Sequence, residues 1–168
     1  KTYLNDYQID NLLTSNAEYL EFIQDGGYDD YSFWLSDGWD IVKKNEWKAP
    51  MYWEKEGDDW ITRDFAGKRK INPNEPVCHV SFYEASAYCK WANKRLPTEA
   101  EWEKAALWND EKEIKTIFPW GNEKPTESHA NLLESNIWNC SNVGAYENGK
   151  SNYGCYQMIG DVWEWTSS

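Results

Sequence analysis

Metal or nucleophilic chemistry would fall first to histidine and cysteine, and the chain offers little of either: His79 and His129, then Cys78, Cys89, Cys140 and Cys155. A facial-triad iron site needs two histidines and a carboxylate converging on one face. Two histidines so widely separated give no such pattern. His79 falls at the end of an expected strand just before a helix cap, where its ring can simply hydrogen-bond. The cysteines contain no C-x-x-C pair, which argues against a zinc site. Cys89 belongs on the inward face of a helix, where a thiol behaves as a small apolar side chain. A disulfide between Cys140 and Cys155 could close a loop, although a reducing compartment would oppose it. Arg95 with Glu99 or Glu101 reads as a structural ion pair around the Leu96-Pro97 corner, ahead of any catalytic role.

The elements that must position these residues are announced by their caps. Ser15 and Glu18, Ser81 and Glu84, and Thr98 and Glu101 each have the S/T-x-x-E spacing in which two side chains satisfy free N–H groups at a helix start. The first helix should present Tyr19, Leu20 and Ile23 and stop at Gly26-Gly27. A short second helix follows Ser36-Asp37, with Trp39 and Val42 inward, and Pro50 ends that run. From Met51 to Phe65, strand-like aromatics around Glu56-Gly57-Asp58-Asp59 predict a hairpin. The third helix should bury Phe82, Ala85, Tyr88, Cys89 and Ala92, and the fourth Trp102, Ala105 and Ala106. From Phe118 onward turn residues dominate, yet Trp120, Trp138, Trp163 and Trp165 are interspersed, which predicts long ordered loops rather than a linker. Val162 to Thr166 alternates as a half-buried strand would, with Trp163 and Trp165 on one side, either in the core or lining a groove. A chain that stops two serines after such a strand is expected to be a fragment.

Composition narrows the function classes. The 168 residues carry 17 Lys+Arg against 29 Asp+Glu, a net charge of −12. Such an acidic balance, with only short basic runs, argues against nucleic acid as a partner. No run of around twenty apolar residues exists to span a membrane. A mean hydropathy of −0.88 could suggest disorder, but twelve Trp, eleven Tyr and five Phe supply the apolar area of a compact aromatic core.

Three stretches together resemble the formylglycine-generating-enzyme or sulfatase-modifying-factor domain: Pro76 to Trp91 (PVCHVSFYEASAYCKW), Arg95 to Ala106 (RLPTEAEWEKAA) with Phe118 to Gly121 (FPWG), and Tyr156 to Ser168 (YQMIGDVWEWTSS). The resemblance implies an α+β, irregular C-type-lectin-like fold with short helices, a small antiparallel sheet and long ordered loops. Within the family the finer resemblance is to the sulfoxide synthases of ergothioneine synthesis, carried by Asn16 to Ile23, Asp25 to Tyr28 (DGGY), Trp34 to Trp39 (WLSDGW), Trp47 to Trp53 (WKAPMYW) and Asp161. It implies a cytoplasmic, non-haem iron(II) enzyme that joins a thiol, cysteine or γ-glutamylcysteine, to hercynine with O₂.

The same resemblance defines what residues 1–168 would contribute: a single domain, truncated at its C-terminus and without the N-terminal DinB-like helical bundle whose H-x₃-H-x-E histidines hold the iron. The domain would supply one wall of the cleft, with catalytic residues outside this chain and none of its cysteines acting as nucleophile. Calcium is the further metal implied, with Asn131 and Leu132 matching one site and Gly160, Val162 and Glu164 another. Carbonyl oxygens with one carboxylate suit such a hard cation. A hydrogen-bonded buried carboxylate is an equal reading of Glu164. The alternatives are a formylglycine-generating oxidase for sulfatases, or a non-catalytic C-type-lectin-like binding module, since function does not follow from fold.

Overall fold

The computed structural model describes residues 2–64 and 67–168. They form two compact units, Thr14–Leu96 and Lys1–Leu13 with Pro97–Ser168. In the first unit, α1 (Asn16–Gln24) begins at the expected capping box, with Ser15 Oγ accepting from Glu18 N at 3.3 Å and Glu18 Oε2 from Ser15 N at 2.8 Å. Its buried face is Asn16, Tyr19 and Phe22 rather than the expected Tyr19, Leu20 and Ile23. Phe22 is the centre because Gly27 leaves no side chain in its way: a Cβ there would sit 2.1 Å from the Phe22 ring. Helix α2 (Ser36–Asn45) turns Val42 inward, half-buries Trp39, and ends at a left-handed Glu46 (φ 54°) before Pro50 is reached.

The predicted hairpin is present and belongs to a larger sheet. Strands β1 (Glu54–Glu56) and β2 (Asp59–Asp64) pair antiparallel around Gly57-Asp58, and β3 (Gly67–Lys70), absent from the expectation, pairs with the other edge of β2. Its Gly-Lys-Arg-Lys sequence has no apolar alternation to mark it. Register brings charges together instead, with Lys68 bridging Glu54 and Glu56 across the sheet. Phe65, where the hairpin was expected to end, lies outside the described residues.

Helix α3 (Phe82–Trp91) carries the second capping box and buries Glu84, Ala87 and Tyr88. Tyr88 was expected there. Phe82, Ala85, Cys89 and Ala92 are only half-buried, because Glu84 takes the inward position. The core is aromatic, as the composition requires: Tyr19 stacks on Tyr88 at 5.4 Å, and Phe22 meets Tyr28, Phe33 and Trp91 at 5.7–6.3 Å.

In the second unit, α4 (Glu99–Leu107) starts at the Thr98/Glu101 box and buries Ala105 and Ala106 against Cys155 and Met158, with Trp102 half-buried beside them. A two-stranded ribbon follows, β4 (Trp108–Asn109) with β5 (Ile114–Lys115). Beyond Thr116 regular structure reduces to two 3-10 turns, Leu133–Ser135 and Glu147–Gly149. The expected strand at Val162 to Thr166 does not form. Val162 N bonds Gly160 O at 2.7 Å and Ser167 N bonds Pro97 O at 2.8 Å, so these backbone groups join turns and loops instead of a ladder. Trp163 is consequently fully exposed and Trp165 about half so, rather than in the core.

Candidate functional site

In the absence of strands, the loops after Phe118 are held by side chains, and Asp161 is their hub. Its carboxylate accepts from Asn131 Nδ2 at 2.8 Å and Ser141 N at 2.6 Å on one oxygen, and from Gln157 Nε2 at 2.7 Å on the other. Asn131 Nδ2 also donates to Asn139 O at 2.7 Å, and Gln157 Oε1 accepts from Gly144 N at 2.6 Å. Three loop positions are thereby tied to one side chain, with Asn139 and Gly144 held through Asn131 and Gln157. A carboxylate suits the position because it only accepts, with room for several donors at once.

Backbone conformation at the hub is equally particular. Asp161 (φ 52°) and Gln157 (φ 51°) are both left-handed. Aspartate tolerates that region and glutamine much less, so the amide bonds of the fully buried Gln157 offset its strain. Gly160 (φ 89°) lies against Asn131, where a Cβ would fall 2.5 Å from the carbonyl oxygen. Glycine is required here on both counts.

The residues matched to calcium can be placed on this frame. Asn131 and Gly160, expected at separate sites, are in backbone contact, and Asp161 N donates to Asn131 O at 3.2 Å. Leu132 is half-buried beside Asn131, with its N–H donating to Ser135 Oγ at 3.3 Å, and Val162 follows the Gly160 turn. Carbonyl oxygens with one carboxylate are the donor types a hard cation accepts, and here Asn131 O already takes the Asp161 N–H. Glu164 is exposed as a residue, while protein atoms crowd its carboxyl. Burial of that carboxyl raises it to about 7, opposed by the nearby Trp102 indole N–H. The indole N–H is buried and forms no hydrogen bond of good geometry.

Neither histidine is placed for an iron triad. His129 Nδ1 bonds Thr126 Oγ1 at 2.8 Å while its ring stacks on Trp120 at 4.6 Å. His79 is exposed and left-handed (φ 62°), not at a strand end, and stands edge-on to Tyr52 at 5.0 Å. Among the described residues no three His, Cys, Asp or Glu side chains converge to hold a metal. Cys155 is a free thiol buried under α4, so the disulfide with Cys140 is not formed. Burial pushes that thiol up from its ordinary value, away from the reactive thiolate. Arg95 Nη1 donates to Leu96 O at 3.1 Å, and Glu101 serves the Thr98 cap.

Sequence reasoning used Asp161 only as part of a resemblance and missed its role as hub. The available signal was the density of Asn, Gln and Gly around it. Also missed was a cleft of about 420 Å³ within residues 14–96, between the Trp47–Tyr52 segment and the start of α3.

This α+β architecture with long irregular loops belongs to a known class of domain, and the chain is a member of it: residues 1–168 match the sulfatase-modifying factor enzyme 1-like domain family. Among individual proteins, it is 45% identical over 162 residues to a hercynine oxygenase of Mycolicibacterium smegmatis and 43% identical to that of Mycobacterium tuberculosis. Each alignment covers 96% of this chain and 37% of the relative. A formylglycine-generating enzyme of Bos taurus is 32% identical over 200 aligned positions, covering 98% of this chain and 48% of that protein. The chain thus spans between about a third and a half of the length of these relatives. No helix among the described residues is long and apolar enough to cross a membrane.

Proposed function

We propose that this domain forms part of a cytoplasmic, iron(II)-dependent sulfoxide synthase of ergothioneine synthesis. The enzyme joins a thiol, cysteine or γ-glutamylcysteine, to hercynine with O₂. The observation that carries this reading is the 45% identity to a protein named hercynine oxygenase, against 32% to a formylglycine-generating enzyme. In this reading residues 1–168 are one wall of the reaction cleft. A DinB-like helical bundle of the same polypeptide would supply the iron ligands. The iron supplies O₂ activation. The contribution of this chain is positioning: Asp161 fixes the loop that carries Val162, Trp163 and Glu164, with the Trp163 indole exposed and the Glu164 carboxyl packed among protein atoms.

Where calcium binds, Asn131, Leu132, Gly160, Val162 and Glu164 would hold it, and it would clamp the same loops that Asp161 ties. The reading is tested by ligand-dependent stabilisation of the protein as its gene encodes it, loaded with iron(II) under nitrogen. Hercynine should raise the melting temperature and histidine, lacking the three methyl groups, should do so far less. Equal shifts from the two would count against hercynine as substrate.

A further inference from the structure

Asn148-Gly149 is the one Asn-Gly step in the sequence, and it forms the last two residues of the 3-10 turn Glu147–Gly149. We propose that Asn148 is a site of spontaneous deamidation, gated by opening of this turn, and that the isoaspartate product releases the loops tied to Asp161.

The chemistry needs only these two residues and water. The backbone nitrogen of Gly149 attacks Cγ of the Asn148 carboxamide, the Cγ–Nδ2 bond breaks, and the nitrogen leaves as ammonia, carrying the proton of the Gly149 amide. A cyclic succinimide remains. Water opens it at either carbonyl, giving aspartate or isoaspartate, and in the latter the main chain runs through the former side-chain carbon. Nothing is oxidised or reduced. Glycine favours the attack because it has no Cβ to restrict its backbone.

The fold makes that glycine obligatory. Gly149 is buried, and a Cβ on it would sit 1.9 Å from the carbonyl oxygen of His129. A labile step is therefore retained where Asn148 itself is exposed to water. In the closed turn the reaction is held back, since Gly149 N donates to Tyr146 O at 3.0 Å and cannot turn on Asn148. The flanks are pinned as well. Glu147 accepts from Lys150 Nζ and Tyr156 Oη, and Tyr146 Oη shares a hydrogen bond with Ser141 Oγ at 3.0 Å. Attack thus waits on local opening of the turn.

The product has a defined route into the hub. Isoaspartate lengthens the main chain immediately before Gly149, which can then no longer both reach Tyr146 O and lie against His129 O. On one side His129 leads through the buried Ala130 to Asn131, and on the other Tyr146 leads through Ser141 to the Asp161 carboxylate. Aspartate, the other product, keeps the ordinary backbone and leaves the turn closed.

The protein as its gene encodes it, incubated at mildly alkaline pH and followed by peptide mapping with isoaspartyl methyltransferase labelling, should accumulate isoaspartate in place of Asn148. The same chain unfolded in urea should do so about fivefold faster, because the hydrogen bond of the turn is gone. The aged protein should melt about 3 °C lower. Asn148→Asp should melt with the parent, and Asn148→Gln, whose longer side chain closes the ring far more slowly, should neither age nor lose stability. No isoaspartate in the folded protein, equal rates folded and unfolded, or an aged protein that melts no lower than Asn148→Asp would each overturn the proposal. Because neither hercynine nor iron enters the experiment, failure here leaves the sulfoxide-synthase reading untouched.

Discussion

Replacing Asp161 by asparagine should loosen the loop region far more than its near-identical shape suggests. The carboxylate receives three donors, from Asn131, Ser141 and Gln157, whereas the substituted carboxamide would have one carbonyl oxygen and an N–H₂ group. With the oxygen kept toward Asn131 and Ser141, the amide nitrogen would face Gln157 Nε2, donor against donor. Flipping Gln157 offers no escape, since its Oε1 serves Gly144 N at 2.6 Å. One charge-assisted bond is therefore lost, worth about 1.5–3 kcal/mol. For a chain of this length that corresponds to a fall of roughly 3–12 °C in melting temperature. Asparagine tolerates the left-handed backbone at φ 52°, so the comparison isolates the bond from strain. Asp161→Ala removes all acceptors and adds strain, and should be worse by about 1–3 kcal/mol more. Thermal melts followed by near-ultraviolet circular dichroism give the stability, and amide exchange at Ser141 and Gly144 localises the loss. A melting temperature for Asp161→Asn within about 1 °C of the parent, far below the shift expected, would refute the hub.

Glu164 gives a pH signature. Its folded value of about 7 lies above that of an unfolded glutamate, so the folded state holds its proton longer and stability should fall as pH rises from the ordinary carboxylate range through about 7. Glu164→Gln should match the parent near pH 4 and exceed it at pH 8 in thermal melts; parallel profiles would show that Glu164 does not titrate this way. Calcium should raise the melting temperature at pH 8, and Glu164→Gln should abolish the rise, whereas no shift in the parent would exclude the proposed site. Phe22, fully buried and ringed by Tyr19, Tyr28, Tyr88 and Trp91, should cost about 3–5 kcal/mol on Phe22→Ala in urea denaturation. A loss under about 1 kcal/mol would mean that the core collapses around it.

What could be read from residues was what local chemistry determines. All three capping boxes formed where Ser15, Ser81 and Thr98 precede a glutamate by three, because that motif is satisfied within four residues. The Gly57-Asp58 turn was legible for the same reason. Strand β3 was not, since Lys68 and Lys70 are held there by Glu54, Glu56 and Asp59 across the sheet and not by an apolar face. Val162 to Thr166 misled in the opposite sense: its alternation is a strand pattern, but a strand also needs a partner, and Gly160 and Pro97 take backbone bonds from Val162 and Ser167. At the site, the contact of Asn131 with Gly160 was not legible, because it comes with the Asp161 network, whose members lie up to thirty positions apart.

The proposed activity rests most directly on product formation. The protein as its gene encodes it, given iron(II), O₂, hercynine and either cysteine or γ-glutamylcysteine, should consume one O₂ per coupling. The hercynine C–H and thiol S–H become a C–S bond bearing one oxygen on sulfur, the other oxygen leaves as water, and mass spectrometry should detect the sulfoxide. Absence of that product under conditions in which the same preparation converts a peptide cysteine to formylglycine would contradict the account.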